Sequence, residues 1–275
     1  MLFVISIHHA VCNGWSLELI QDQLRSAYRG EQLETRHFRL FIDYVYKSRS
    51  LQASREFWNA QFSGLEDEAF PNTISGTHAP MANSILKCSI SLPGVDAKEY
   101  IISTVVQLAW ANVIAHWTAS NDVVFGVTVS GRGSEVEEIG NIVGPTIATI
   151  PLRVRIEPNA SIQNMLLAVQ ELTTTMKPFE QAGLQHVQRF SRGPEVACKF
   201  QSQLVIQPPP NNDQSIFTTV ESGSTLTNGL AAYLILLECH LPVQESRMEL
   251  NLRFDNHVVQ REEAQRMMQY FEHAL

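Results

Sequence analysis

The sequence predicts an α/β fold in which helices cover a sheet. Apolar residues alternate in several short segments, which indicates half-buried strands, and recur every three or four residues in others, which indicates amphipathic helices. The two kinds of segment are mixed along the chain, as expected for helices packed on a sheet. With 275 residues, 44% of them hydrophobic, the chain is long enough to bury a sizeable core.

Composition and charge exclude several classes of protein. The 20 Lys and Arg residues against 28 Asp and Glu give a net charge of -8, whereas nucleic-acid binding requires a basic face. No apolar run approaches the roughly 18 residues of a membrane span, and the apolar start lacks the basic residues of a signal peptide. The four cysteines lie far apart, which disfavours a zinc site or a disulfide framework and predicts reduced thiols in a cytoplasmic protein.

The first part of the chain opens with a predicted strand at residues 2–7. Both of its faces are apolar, as in a central strand with a neighbour on each side, and it ends at His8 and His9. Residues 64–81 are rich in Pro, Gly and polar side chains without periodicity, which predicts a linker. Between these two segments, helices are expected at residues 16–29 and, in two pieces, across 38–62.

The second part alternates strands with helices. A capping box at Asp96 and Glu99 and a broad apolar surface predict a long buried helix at residues 96–118, and Ser161 caps the next predicted helix. The polar stretch 211–228 is expected to be a loop. Strands are expected at residues 85–92, 121–129, 147–156, 200–206, 233–241 and 247–254, the last two as a hairpin, and helices at 96–118, at 161–176 and at the C-terminus.

The histidine pair at the end of the first strand is the strongest candidate for chemistry. Successive strand residues face opposite sides, so only one of His8 and His9 can face a given cavity. A neutral histidine can take a proton from an attacking nucleophile. Gly14 lets a substrate approach the backbone and can offer its N–H to a developing oxyanion, and Asn13 can fix the turn. From residue types alone, a catalytic and a structural histidine both stay open.

Other catalytic arrangements find little support. There is no HExxH zinc motif and no G-x-S-x-G nucleophile elbow. Residues 130–133, Ser-Gly-Arg-Gly, lack the spacing of a phosphate loop and are interpreted as a turn. Asp43, Glu180 and Asp255 are isolated acids, interpreted as solvated or structural.

The residues His8-His9-Ala10-Val11-Cys12-Asn13-Gly14-Trp15-Ser16 resemble the HHxxxDGxS motif of the condensation domains of nonribosomal peptide synthetases. Those domains belong to the chloramphenicol-acetyltransferase-like superfamily, and the residues of the motif here are most similar to those of fungal multimodular synthetases. Further segments resemble the family's motifs in the family's order: FRLFIDYV at 38–45, Phe57-Trp58, DVVFGVTVSGR at 122–132, VGPTIATIPLR at 143–153 and KPFEQ at 177–181.

The resemblance implies a two-lobed fold of that superfamily and a peptide-bond-forming acyltransferase of secondary metabolite biosynthesis. Such a domain joins an acyl group, held as a phosphopantetheine thioester on one carrier domain, to the amine of an aminoacyl group on a second carrier. It implies that His9 positions or deprotonates the amine, that Gly14 helps to hold the carbonyl, and that His8 is structural. Carrier domains and neighbouring synthetase modules are the implied partners. No metal, no covalent acyl-enzyme and no directly bound cofactor is expected.

Two features depart from the family's pattern. The family has Asp where this chain has Asn13, and the resemblance implies that this aspartate pairs with the arginine matching Arg153. We therefore expect an uncharged Asn13–Arg153 hydrogen bond and a less firmly held His9. Condensation domains also carry a long segment before the histidine motif, so the expected organisation is a remnant of the N-terminal lobe at 1–70, a linker at 71–80 and a C-terminal lobe at 81–275.

Several alternatives stay open. One alternative is a catalytically inactive, truncated domain that only docks carrier domains. The chain can also be an acyltransferase that uses a soluble CoA thioester, because the wider superfamily shares HxxxD-type motifs, although the Ser-Gly-Arg, Pro-Leu-Arg and PFE segments favour the synthetase branch. Epimerisation and cyclisation domains share the fold and are not excluded.

Overall fold

A computed structural model of the chain describes residues 7–32, 35–48, 50–66, 69–72, 78–92, 100–209, 232–242 and 247–275, leaving out the side chains of His9 and Ser48. The predicted strand at 2–7 lies outside the described residues except for Ile7. The predicted loop at 211–228 and the capping box at Asp96 and Glu99 also lie outside them.

The helices follow the predicted order. Ser161 caps α5 as predicted, its hydroxyl accepting the backbone N–H of Asn164. The two helical pieces expected across 38–62 are separated by a π-helical turn, Tyr44–Ser48, and Ser50 then caps the second piece. The helices are α1 Gly14–Tyr28, α2 Arg39–Asp43, α3 Leu51–Gln61, α4 Ile102–Thr118, α5 Ile162–Met176, α6 Leu184–Val187, α7 Arg192–Ala197 and α8 Arg261–Ala274.

The described strands form one mixed sheet. They are β1 Ser84–Ser91, β2 Asp122–Val129, β3 Ala148–Arg155, β4 Ser202–Gln207, β5 Ile235–His240 and β6 Arg247–Phe254, in the spatial order β1-β6-β5-β4-β2-β3. β4 runs parallel to both β2 and β5, and the other pairs are antiparallel. The predicted hairpin is confirmed as antiparallel β5 and β6, with Cys239 opposite Leu250.

The core lies between this sheet and α4, α5 and α8. Helix α4 is buried on almost every side, as its broad apolar surface predicts. Trp110 is fully buried in it, and its indole N–H donates to the Ser202 hydroxyl at the start of β4. Ala264, Met267, Met268 and Phe271 of α8 are buried as predicted. The cysteines at 12, 88, 198 and 239 are not joined in disulfides, and no described helix is long and apolar enough to cross a membrane.

Part of the predicted linker is fixed to the end of the sheet. Asp255, which follows β6, is fully buried and accepts hydrogen bonds from the His78 ring at 2.7 Å and from the Met81 backbone N–H at 3.0 Å. Asn83 and Asn256 add two further hydrogen bonds between the same segments. Asp255 is therefore a structural carboxylate, one of the two roles predicted for it.

Candidate active site

The histidine motif forms a short 3₁₀ turn that leads directly into α1. The turn spans His9–Val11 and is closed by a hydrogen bond from the Val11 N–H to the His8 carbonyl at 3.0 Å. The exposed His8 ring accepts the Ala10 backbone N–H at Nδ1, at 3.0 Å. The His8 ring is therefore engaged by its own backbone, which supports the structural role predicted for it. The structure locates the His9 backbone at the head of this turn; the His9 side chain lies outside the described residues.

Asn13 fixes the junction between the turn and the helix. It is the N-cap of α1, is buried, and its side-chain oxygen accepts the Ser16 backbone N–H at 2.9 Å. An N-cap oxygen satisfies a backbone N–H that the helix itself leaves without a partner. Asn13 thus caps the helix that follows the turn, and its role in aiming the His9 ring stays a prediction.

Gly14 is the first residue of α1, at the positive end of the helix dipole. A Cβ added at this position would meet no atom within 4 Å, and its φ is not in the left-handed region. Neither packing nor backbone conformation among the described residues therefore requires a glycine here. Open space beside a helix N-terminus suits the approach of a carbonyl to backbone N–H groups, which is the role predicted for Gly14.

A second segment, the loop between β2 and β3, is joined to the first turn of α1. The Ser16 hydroxyl lies 2.7 Å from the Asn13 side-chain oxygen and 2.9 Å from the Gly144 carbonyl, so its single proton goes to one of them. The same hydroxyl accepts the Gly144 N–H at 3.0 Å. Trp15 donates its indole N–H to the Gly140 carbonyl at 2.9 Å. Two consecutive residues of α1 are thereby attached to this loop.

Arg132 holds the loop in shape. Its guanidinium donates to the carbonyls of Ile139, Ile142 and Gly144, the last two at 2.7 and 3.2 Å. It also lies 5.8 Å from the centre of the Trp15 ring, within the range of a cation–π contact. Burial lowers the pKa of the Arg132 guanidinium. No described carboxylate lies within ion-pairing distance of it, so backbone carbonyls take the place of a counter-ion.

The predicted turn at 130–133 is confirmed and packs against the PFE segment. Gly131 has a φ of +67°, and a Cβ there would lie 2.1 Å from the Thr146 carbonyl oxygen. That carbonyl also accepts the Gln181 side-chain amide at 3.0 Å. Gln181 belongs to the segment Lys177–Ala182, whose Phe179 ring stacks on Phe57 at 4.3 Å. Segments far apart in the sequence therefore converge on the β2–β3 loop.

Glu180 lies in the same Lys177–Ala182 segment. The pKa of the Tyr44 hydroxyl is raised first by burial, then by the negative charge of Glu135 and then by that of Glu180. Burial raises the pKa of the Glu180 carboxyl to about 7, against a smaller opposing effect of Lys177. It is half-buried rather than solvated.

The predicted hydrogen bond between Asn13 and Arg153 is wrong. The buried Arg153 guanidinium donates from Nε and Nη2 to the two carboxylate oxygens of Asp122, at 2.8 and 2.6 Å. Its Nη1 donates to the carbonyls of Gln61 and Ser63 at the end of α3, at 3.1 and 2.9 Å. A buried cation is better compensated by a bidentate carboxylate than by a neutral amide, and Asp122 on the neighbouring strand supplies one.

The residues that the sequence interpretation missed are Arg132, Ser16 and Gly144. Their positions fall inside the motifs that resemble the family, but no local pattern assigned them a contact. The signal that could have found them is the occurrence of Arg132 in the Ser-Gly-Arg segment, together with Ser16 at the end of the histidine motif.

The sequence model of the condensation-domain family matches residues 1–275. The chain belongs to this family. It is 40% identical over 270 residues to the nonribosomal peptide synthetase anaPS of Neosartorya fischeri, covering 98% of this chain. It is 39% identical over 275 residues to the nonribosomal peptide synthetase fmqA of Aspergillus fumigatus, covering 100% of this chain.

A solved structure with the same fold is the first condensation domain of the calcium-dependent antibiotic synthetase, in complex with a substrate analogue. The TM-score is 0.70 at 16% sequence identity, covering 98% of this chain and 62% of that one. The α/β fold of condensation domains is thus confirmed. The chain spans 11% of the length of anaPS and 7% of the length of fmqA, so it corresponds to a small part of each of these relatives.

Proposed function

We propose that this condensation domain forms an amide bond between an acyl group and an aminoacyl group, each held as a phosphopantetheine thioester on a carrier domain. The observation that carries the proposal is the arrangement at the start of α1. Asn13 caps the helix, Gly14 leaves open space beside the helix N-terminus, and the turn bearing His9 precedes both. Family membership and the synthetase relatives support the same chemistry.

In the proposed reaction the amine nitrogen attacks the thioester carbonyl. His9 positions the amine or accepts its proton, and the N–H of Gly14 stabilises the negative charge that develops on the carbonyl oxygen. The C–N bond forms, the C–S bond breaks, and the thiol of the donor arm leaves with a proton. The enzyme carries no covalent intermediate in this scheme, and no metal or directly bound cofactor takes part.

The remaining predicted residues have supporting roles. His8 and Asn13 hold the turn, and Arg153 fixes α3 to the sheet instead of contacting Asn13. The carrier domains and neighbouring synthetase modules are the proposed partners. A cytoplasmic location belongs to the same proposal, because four cysteines without disulfides suit a reducing compartment. The proposed boundaries stay at residues 1–70, 71–80 and 81–275.

The test supplies two synthetic carrier thioesters and measures the amide product by mass spectrometry. We expect product with the unaltered chain, loss of product with His9→Ala, and full product with the control His116→Ala, because His116 lies in the last turn of α4 and stacks on Tyr270. Product that survives His9→Ala would remove His9 from the mechanism.

Two other outcomes would overturn the proposal as a whole. Carrier binding without product would favour a domain that only docks carriers. Product formed from a soluble CoA thioester, but not from the carrier-bound donor, would favour a CoA-dependent acyltransferase.

A further inference from the structure

We infer that Arg132 is a positioning residue for the acyl-transfer centre, acting on the His9 turn through Gly144 and Ser16. The inference rests on the proposed function and adds a residue that lies in a different part of the chain. Among the described residues, Arg132 binds the Gly144 carbonyl and not Gly14; its effect reaches Ser16 through Gly144, whose N–H donates to the Ser16 hydroxyl.

The β2–β3 loop folds around the Arg132 guanidinium. The carbonyls of Ile139, Ile142 and Gly144 all point at one guanidinium. Aligned carbonyls repel one another unless a cation lies among them, so the loop depends on the charge of Arg132 to keep this conformation. The Arg132 Nε is buried and has no hydrogen-bond partner among the described residues, so the guanidinium is fixed entirely by its terminal nitrogens.

Gly144 and Trp15 link this loop to the first turn of α1. Gly144 presents its carbonyl to both Arg132 and Ser16, and its N–H to Ser16. Ser16 is fully buried and contacts the Asn13 cap. A parallel link joins the guanidinium to the Trp15 ring, whose N–H is bound to the same loop at Gly140. Loss of the cation therefore loosens both attachments of the first turn.

The groups proposed to act on the substrate, His9 and the Gly14 N–H, flank the Asn13 cap. A shift of about 1 Å in such groups can reduce a rate about 100-fold, because they must match the reacting atoms closely. Displacement of this turn is expected to lower kcat at nearly constant KM, because the Gly14 N–H is proposed to act on charge that develops only in the transition state.

The experiment compares Arg132→Gln and Arg132→Lys with the control Arg36→Gln. Arg36 contacts the same loop through an exposed ion pair with the Glu138 side chain, whereas Arg132 is bound to the loop's backbone carbonyls. We expect Arg132→Gln to lower kcat about 10- to 100-fold at nearly constant KM, and Arg132→Lys, which keeps the charge, to restore part of the loss. Arg36→Gln should leave kcat within about 2-fold of the unaltered chain.

Amide hydrogen exchange of residues 10–17 gives a readout that does not depend on activity. We expect faster exchange there in Arg132→Gln than in Arg36→Gln, at temperatures where both are folded. Unchanged exchange in a folded Arg132→Gln protein, or a kcat loss equal to that of Arg36→Gln, would overturn the positioning role. If the unaltered chain forms no product, the proposed function fails, while the exchange measurement still decides whether Arg132 orders the turn.

Discussion

Arg153 and Asp122 form a two-pronged ion pair across adjacent strands of the sheet, with nitrogen–oxygen distances of 2.8 and 2.6 Å. Asp122 lies opposite Arg155 in the antiparallel register, which makes Arg153 its diagonal neighbour on β3. The same guanidinium binds two carbonyls at the end of α3. One buried arginine therefore joins two strands to a helix that precedes them in the sequence.

We expect Arg153→Gln to destabilise the protein by about 3 kcal/mol, because it leaves a carboxylate and two carbonyls without their cation. The control is Arg155→Gln. Arg155 is 59% exposed and lies 3.7 Å from the same carboxylate, and exposed pairs contribute about 1 kcal/mol or less. Urea denaturation measures both changes. Equal losses in the two variants would show that the buried, bidentate contacts of Arg153 add nothing to the free energy of unfolding.

Asn13→Asp tests the helix cap. Asp and Asn cap helices equally well, and a negative charge at a helix N-terminus adds about 0.3–1 kcal/mol. We therefore expect a melting temperature higher by about 1–4 °C, with the gain shrinking at high salt. Asn13→Ala should cost about 1 kcal/mol because the Ser16 N–H loses its acceptor. If Asn13→Asp and the unaltered chain have the same melting temperature and the same turnover, the strength of the helix cap limits neither the stability nor the activity of the protein.

Gly131→Ala tests the close approach between the Ser-Gly-Arg turn and Thr146. The new Cβ would lie 2.1 Å from the Thr146 carbonyl oxygen, at a φ that disfavours side chains. We expect a loss of about 2 kcal/mol or more. Gly133→Ala is the matched control in the same turn, because a Cβ there meets no atom within 4 Å. A loss no larger for Gly131→Ala than for Gly133→Ala would contradict this reading of the turn.

The limits of prediction from sequence follow from the range of each interaction. Periodicity found α5 and its Ser161 cap, because a helix and its cap lie within a few neighbouring residues. It also found β2 and β3 to within one or two residues at each end. The N-cap observed for α4 is Ile101, later than the predicted start at Asp96. Helix boundaries depend on tertiary context as well as on local signals.

The contacts of Arg153 and Arg132, by contrast, join residues that lie far apart in the sequence or depend on the path of a whole loop. Arg153 binds Asp122, which lies 31 residues earlier, and carbonyls of residues some 90 positions away. No local pattern encodes which acid a buried cation meets once the sheet has formed. The glycines at 131 and 133 predicted a turn, but the carbonyls that surround Arg132 follow from the path of the whole β2–β3 loop. The resemblance to the family located the motifs without stating how they touch.

Glu180→Gln should change the pH dependence of stability. Burial raises the pKa of this carboxyl to about 7, so between about pH 4.5 and 7 the folded state keeps a proton that the unfolded state releases. Glu180 therefore makes stability fall as the pH rises through this window. A neutral glutamine removes that loss. The full shift corresponds to about 3 kcal/mol, and solvent screening of this half-buried carboxyl reduces it, so we expect the variant to gain about 1 kcal/mol relative to the unaltered chain at pH 8 compared with pH 4. The same difference between the two proteins at both pH values would contradict the shift.

Asp255→Asn tests a carboxyl whose pKa is shifted in the opposite direction from that of Glu180. Burial alone would raise the pKa of Asp255, but hydrogen bonds from His78 and from the backbone N–H groups of Met81 and His257 outweigh it and lower the pKa. An acid with a lowered pKa stabilises the fold above its unfolded pKa of about 3.9, and this stabilisation is lost as the pH falls through the lower folded value. We expect Asp255→Asn to cost about 1–3 kcal/mol near neutral pH and the difference from the unaltered chain to shrink below about pH 4. Urea unfolding midpoints of both proteins measured across this pH range give the difference in stability. A difference that stays constant down to acid pH would show that Asp255 acts through its shape rather than its charge.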